Sequence, residues 1–156
     1  MMDEALVAGR MPTGRSKPLT GIEAALANTQ LFSQCSRKEL KTVAKTAHIR
    51  KIKAGARLMT EGENAETMYA IVSGIARVSR NGRKVATLGA GDAVGELALI
   101  GRTERNASVD AETDLEVAEI NGRELRKLIA SVPSFAQKLL EALAARVREL
   151  DKRVFP

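Results

Sequence analysis

The chain has 156 residues, of which 44% are hydrophobic and 28% are charged, and this composition predicts one folded domain. A single cysteine, Cys35, excludes an internal disulfide framework, and a single histidine, His48, argues against a multi-histidine metal centre. The first four residues carry two acids, and no apolar run reaches the roughly 20 residues of a membrane span. We therefore expect a cytoplasmic protein with no membrane span.

The formal net charge is +6, and its distribution is uneven. Seven lysines and arginines lie between Ser36 and Lys53, against the single acid Glu39. We interpret this basic segment as a solvated face, with contact to nucleic acid or acidic lipid as the alternative. Only four aromatic residues are present, which disfavours a protein that stacks single-stranded bases.

The first half of the chain divides into a tail and a helical segment. Residues 1–21 are punctuated by glycine and proline and are expected to form a flexible tail. Residues 22–47 show helical spacing of apolar residues, and Ser36 with Glu39 matches a capping box at the start of the second helix. The predicted folded domain therefore spans residues 22–156.

Between residues 49 and 120 the apolar pattern changes to short runs separated by glycines. The pair Asn81-Gly82 separates two such runs and predicts a tight hairpin, because both central residues of that turn need a positive φ. Consecutive strands with few intervening helices indicate an antiparallel, jelly-roll-like β-roll. The runs are Thr67–Val72, Gly74–Ser79, Lys84–Leu88, Asn106–Ala111 and Leu115–Ile120.

Helical periodicity returns over residues 121–154. Asn121 with Glu124 predicts one N-cap, Pro133 predicts a break, and Ser134 with Gln137 predicts the cap of a long final helix. That helix carries apolar residues at alternating spacings of four and three, which is typical of a coiled-coil seam. Two interpretations stay open: the seam covers the sheet, or residues 134–154 pair with a second copy. The seam residues are Ala136, Leu140, Leu143, Val147, Leu150 and Val154.

The segment from Gly91 to Val109 carries the chemistry. A glycine such as Gly95 allows a ligand to approach the backbone, and a helical turn over residues 97–100 would direct free N–H groups at an anion. Arg105 adds a guanidinium fork for a phosphate. Glu96 is suited to accept hydrogen bonds from hydroxyl groups, unless it pairs with Arg105. Together these residues indicate a ligand with one phosphate and a neighbouring sugar hydroxyl.

The same segment resembles the phosphate-binding cassette of the cyclic nucleotide-binding domain family. Gly-Glu-Leu-Ala-Leu begins at Gly95, and Arg-x-Ala-Ser-Val begins at Arg105. The likeness extends over roughly Leu31 to Leu150. It implies an α+β fold in which an antiparallel β-roll is flanked by N-terminal helices and a long C-terminal helix.

The resemblance also implies roles for individual residues. Glu96 matches the residue whose carboxylate holds the ribose 2′-hydroxyl, and Arg105 matches the arginine that grips the cyclic phosphate. Asn106 stands where a smaller residue is typical, and its amide bears on the choice of purine. The other predicted ligand-binding positions line or shape the pocket: Gly95, Leu97, Ala98 and Ala107.

The resemblance therefore implies a non-catalytic sensor that binds cAMP, with cGMP as the alternative ligand, and acts on an unknown downstream protein. A ligand-free module that keeps the fold and dimerises is the second hypothesis. We expect neither catalytic residues nor a metal or cofactor, because no activated nucleophile, carboxylate pair or metal-ligand cluster is apparent. Six residues follow Leu150, which leaves no room for a helix-turn-helix, so DNA binding is not expected.

Overall fold

The fold comes from a computed structural model that describes residues 21–101 and 103–154, with the backbone alone at residues 97–99. Of the predicted tail, residues 1–21, the first 20 lie outside the described residues. Helix α1 begins at Gly21, one residue inside that tail. The helices are α1 (Gly21–Ala27), α2 (Arg37–Ala44), α3 (Glu96–Gly101), α4 (Gly122–Ser131) and α5 (Pro133–Val154).

Eight strands form two four-stranded antiparallel sheets. One sheet has the order β1-β8-β3-β6 and the other has the order β2-β7-β4-β5. These sheets and the flanking helices confirm the predicted α+β, jelly-roll-like fold. The strands are β1 (Ala47–Ile52), β2 (Arg57–Met59), β3 (Thr67–Ser73), β4 (Ala76–Arg80), β5 (Arg83–Leu88), β6 (Ala93–Val94), β7 (Ser108–Ala111) and β8 (Leu115–Asn121).

Local sequence signals account for most of the element ends. The Ser36–Glu39 capping box forms in both directions at the start of α2. Asn81 and Gly82 have φ angles of 51° and 79° and close the β4–β5 hairpin as predicted. Helix α2 ends at Ala44 rather than at residue 47, because Ala47 already pairs with Ile120 of β8.

The last two helices differ from the prediction at one cap. Asn121 caps α4 by accepting a hydrogen bond from the Glu124 amide at 3.0 Å, as expected. The predicted Ser134 cap of α5 is wrong, because the helix begins at Pro133. Proline suits the first position of a helix, where its missing N–H has no partner to lose. The Ser134 hydroxyl instead donates to Glu39 of α2 at 3.1 Å.

The buried residues form two separate clusters. One lies between the helices and the outer face of the first sheet, and it contains the stacked rings of Phe32 and Phe135, whose centroids are 6.2 Å apart. The other lies between the two sheets and contains Tyr69, Ile71 and Val109. Strand β3 supplies both clusters, because successive side chains point to opposite faces.

Within the described ranges, no single helix is long and apolar enough to cross a membrane. Helices α4 and α5 would pass such a test only as a pair, and they are bent by 110° at their junction.

Candidate functional site

The site begins where β6 ends and α3 starts. Gly95 joins the two elements with a φ of +89°, a backbone conformation that favours glycine. Helix α3 then runs from Glu96 to Gly101, so the short helical turn predicted over residues 97–100 is present. The predicted residues Leu97 and Ala98 lie in this turn, where the structure describes the backbone alone.

A backbone ladder holds the second part of the cassette, residues 103–107, against the loop before β3. The Arg105 amide donates to the Glu63 carbonyl at 2.8 Å, and the Gly62 amide donates to the Arg105 carbonyl at 2.9 Å. The carbonyl of the next residue, Asn106, accepts a hydrogen bond from Arg80 Nε at 3.0 Å. These main-chain contacts fix the backbone on both sides of Arg105.

The Arg105 side chain is buried, and the residue is only 6% exposed. Nη1 donates to the Gly95 carbonyl at 3.3 Å, and Nη2 donates to the Thr67 hydroxyl at 3.4 Å. Burial lowers the pKa of this guanidinium from its ordinary value. Among the described residues no carboxylate forms an ion pair with it. The arrangement leaves a buried cation without a matching anion.

Glu96, the first residue of α3, is 3% exposed. Its Oε1 lies 3.3 Å from Nη1 of Arg146, which comes from α5. Its Oε2 is buried and has no hydrogen-bond partner among the described residues. A buried carboxylate oxygen without a donor is costly, because it has lost water and gained no replacement. Glu96 therefore has a free acceptor that a ligand hydroxyl would satisfy.

These two unmatched groups define what the site can bind. Arg105 supplies a cation with unused N–H donors, and the adjoining Glu96 supplies an acceptor. Gly95 precedes Glu96 in the chain, and its lack of a side chain leaves room for the Arg105 guanidinium. The site is thus suited to a ligand that carries an anionic group and a neighbouring hydroxyl.

The structure places the predicted residues in one region, with some differences in partners. Gly95 and Arg105 are in contact, whereas Glu96 pairs with Arg146 and not with Arg105. Ala107 is buried at 3% exposure, and Asn106 is exposed.

Two residues of the site were missed from the sequence. Thr67 opens β3 and touches Arg105, and Arg146 lies 50 residues after Glu96. Neither residue belongs to the cassette motif. The helical periodicity of the sequence also does not distinguish Arg146 from the exposed arginines near it. Only the fold brings them to the site.

The described residues contain no group of three or more histidines, cysteines or acids arranged to hold a metal ion.

Sequence comparison matches residues 49–132 to the profile of the cyclic nucleotide-binding domain. The chain is also 36% identical over 113 residues to the cAMP-activated global transcriptional regulator CRP of Salmonella typhimurium. That alignment covers 69% of this chain and 54% of the regulator. The chain thus spans about half the length of the curated regulators that it matches.

Solved structures resemble this fold. The regulatory domain of Toxoplasma gondii PKA, crystallised with cAMP, is 32% identical with a TM-score of 0.65, over 69% of this chain and 42% of that chain. The Thermus thermophilus catabolite activator protein is 29% identical with a TM-score of 0.69, over 81% of this chain and 62% of that chain.

Proposed function

The chain belongs to the cyclic nucleotide-binding domain family, and we propose that it is a non-catalytic sensor that binds cAMP at the cassette between Gly95 and Ala107. The observation that carries the proposal is the pair of unmatched groups: the buried Arg105 guanidinium and the free Oε2 of Glu96. A cyclic nucleotide presents a singly charged phosphate beside a ribose hydroxyl, and it would satisfy both groups.

The surroundings of Arg105 favour a monoanion held by direct contact. Its guanidinium is buried, so an anion that reaches it would be desolvated and held by charge-assisted hydrogen bonds. The amides at the start of α3, which follow Gly95 in the chain, would be further donors in the proposed site. We further propose that Asn106, whose side chain is exposed, influences the choice between cAMP and cGMP.

The relatives support cAMP rather than another nucleotide. The Salmonella regulator is activated by cAMP, and the Toxoplasma regulatory domain was crystallised with cAMP. Each of these proteins is more than 30% identical to this chain over 69% of its length.

Isothermal titration calorimetry with cAMP, cGMP and 5′-AMP tests the proposal. We expect heat with a cyclic nucleotide, and no binding of either cyclic nucleotide at millimolar concentration would refute the proposal. Arg105→Ala should weaken cAMP binding by about 2–3 kcal/mol, or roughly 30- to 150-fold, because it removes charged hydrogen bonds in a buried place.

The matched control is Arg83→Ala, which removes the same charge from the exposed end of the β4–β5 hairpin. It should change cAMP affinity less than about twofold, because exposed charges act weakly at a distance. Equal binding by the Arg105→Ala variant and the wild type would show that Arg105 does not hold the phosphate.

A second proposed role, pairing with another copy of the chain, is supported by the outer face of α5. The face that covers the core is formed by Phe135, Leu139 and Ala142, which are at most 7% exposed. Most of the coiled-coil seam therefore does not cover the sheet. Its side chains are exposed by 58–68% at the following positions: Leu140, Val147, Leu150 and Val154.

Light scattering tests this dimer. Leu143 is a poor site for a disruptive substitution, because it packs against the helical core cluster. The double variant Val147→Asp/Leu150→Asp alters exposed seam residues alone and should give a folded monomer. Arg148→Asp, an exposed neighbour outside the seam, should stay dimeric. A wild-type chain that is monomeric at every concentration tested would contradict the dimer.

A further inference from the structure

Helix α5 contacts the candidate site through one ion pair. Arg146 Nη1 lies 3.3 Å from Glu96 Oε1, and the two residues are on different elements that are 50 positions apart in the chain. The Glu96 side chain is 4% exposed, whereas the Arg146 side chain is 35% exposed. Arg146 therefore reaches inward from the surface of α5 to a buried carboxylate.

The two oxygens of Glu96 have different environments. Oε1 has a cationic donor, and Oε2 is buried without any donor among the described residues. A carboxylate held through one oxygen has a restricted side-chain orientation, so the direction of the second oxygen is also restricted. The acceptor is therefore already oriented when a ligand hydroxyl binds to Oε2, and the Glu96 side chain loses less conformational entropy on binding.

We propose that Arg146 is a positioning residue for the hydroxyl subsite: it holds Oε1 of Glu96 so that Oε2 remains available to the ligand hydroxyl. This inference deepens the proposed function and depends on it. Arg146 does not touch the ligand in this scheme, and its effect on binding passes through Glu96.

The position of Arg146 along α5 gives the contact a second consequence. The N-terminal part of the helix is anchored by Phe135 and by Lys138, whose Nζ lies 2.7 Å from Glu39. Residues 148–154 are all exposed. Arg146 thus lies between the part of α5 that packs on the core and the part that is exposed. A ligand that hydrogen-bonds to Glu96 would therefore also affect this point of the helix.

A comparison of two ligands with matched variants tests the role of Arg146. The affinities of cAMP and 2′-deoxy-cAMP are measured by calorimetry for the wild type, Arg146→Met, Arg146→Lys and Arg148→Met. The deoxy ligand lacks the hydroxyl that Glu96 would accept, so an effect that passes through Glu96 should disappear with it.

We expect Arg146→Met to weaken cAMP binding about fivefold, because a partly exposed charged hydrogen bond is lost. The same variant should change binding of 2′-deoxy-cAMP less than about twofold. Arg146→Lys should recover most of the affinity, since it restores a cation. Arg148→Met removes an exposed charge from the same helix and should affect both ligands equally and weakly.

The alternative outcomes distinguish a failure of the inference from a failure of the proposed function. An equal loss for both ligands would mean that Arg146 only supports the structure, and tighter cAMP binding by Arg146→Met would mean that it competes with the ligand. Either result overturns the inference and leaves the proposed function standing. Failure of the wild type to bind either ligand refutes the proposed function, and the inference falls with it. Circular dichroism of each variant confirms that α5 is still helical.

Discussion

The clearest test of the cassette geometry is Gly95→Ala compared with Gly55→Ala. The two glycines have almost the same backbone conformation, with φ angles of +89° and +88°. Gly55 has open space where a Cβ would be added, and it bonds to Ala111 rather than to the cassette. A Cβ on Gly95 would lie 2.5 Å from Arg105 Nη1 and 3.3 Å from the Thr67 carbonyl oxygen. Comparison of the two variants therefore distinguishes the effect of backbone strain, which both share, from the effect of crowding at the site, which only Gly95→Ala has.

The expected magnitudes follow from these contacts. A left-handed conformation costs an alanine about 1–2 kcal/mol, and both variants should lose this much stability. In Gly95→Ala, Nη1 must also retreat by about 0.9 Å to reach the ordinary contact distance of 3.4 Å. The guanidinium is the end of a flexible side chain, so the added cost in stability should stay below about 1 kcal/mol. Its displacement from the proposed phosphate position should cost about 1–2 kcal/mol of binding, or roughly 5- to 30-fold, which is less than the loss expected for Arg105→Ala.

Chemical denaturation measures the stability change, and calorimetry with cAMP measures the affinity. The reasoning requires similar stability for the two variants and a loss of affinity that is confined to Gly95→Ala. Wild-type affinity in Gly95→Ala would refute the assigned position of Arg105. An equal loss of affinity in Gly55→Ala would show that backbone strain, and not crowding of the guanidinium, weakens binding.

Three further predictions concern the helices around the roll. The hydrogen bond from Lys138 lowers the pKa of Glu39 from 4.5 to about 2. A carboxyl pKa that is lowered by folding stabilises the folded state above pH 4.5, and this stabilisation is lost as the pH falls toward 2. Urea titrations should therefore show a free energy of unfolding that decreases by about 1–2 kcal/mol between these pH values. The Glu39→Gln variant should lack this decrease. Burial raises the pKa of Cys35 to about 11, and its alkylation by iodoacetamide at pH 8 should be about a hundredfold slower than that of a free thiol; labelling at the free-thiol rate would contradict this burial. Phe135→Ala removes the ring stacked on Phe32 and should cost about 3–5 kcal/mol in thermal unfolding, whereas Leu140→Ala on the exposed face should cost less than about 0.5 kcal/mol.

Local patterns in the sequence predicted the elements that depend on local chemistry. The Ser36 capping box and the Asn81-Gly82 turn form as predicted, because each is stabilised by contacts within a few residues. The Ser134 cap failed because a second local signal, Pro133 at the first helical position, competes with it. The α2 end was misplaced because β-pairing between Ala47 and Ile120 is a long-range contact.

The same distinction between local signals and long-range contacts applies to the residues of the candidate site. The motif predicted Gly95, Glu96 and Arg105 as site residues, because their types and spacing are suited to an anion and a hydroxyl. It missed Thr67 and Arg146, since their contribution depends on where β3 and α5 lie in the fold. A hydroxyl at a strand start and an arginine on a charged helix have no distinctive sequence pattern.

The two core clusters differ in whether α5 contributes to them, which bears on how the proposed ligand site would communicate with that helix. The cluster between the sheets holds the roll together without any contribution from α5, whereas Phe135 and Leu139 belong to the helical cluster. Helix α5 therefore packs on the outer face of the first sheet and takes no part in the packing between the sheets. Arg146 links that helix to Glu96, so under the proposed function a change at the hydroxyl subsite would reach α5 through this ion pair. The exposed residue Val147 follows Arg146 directly, and Leu150 lies one turn further on, so the proposed dimer surface begins where α5 leaves the candidate site.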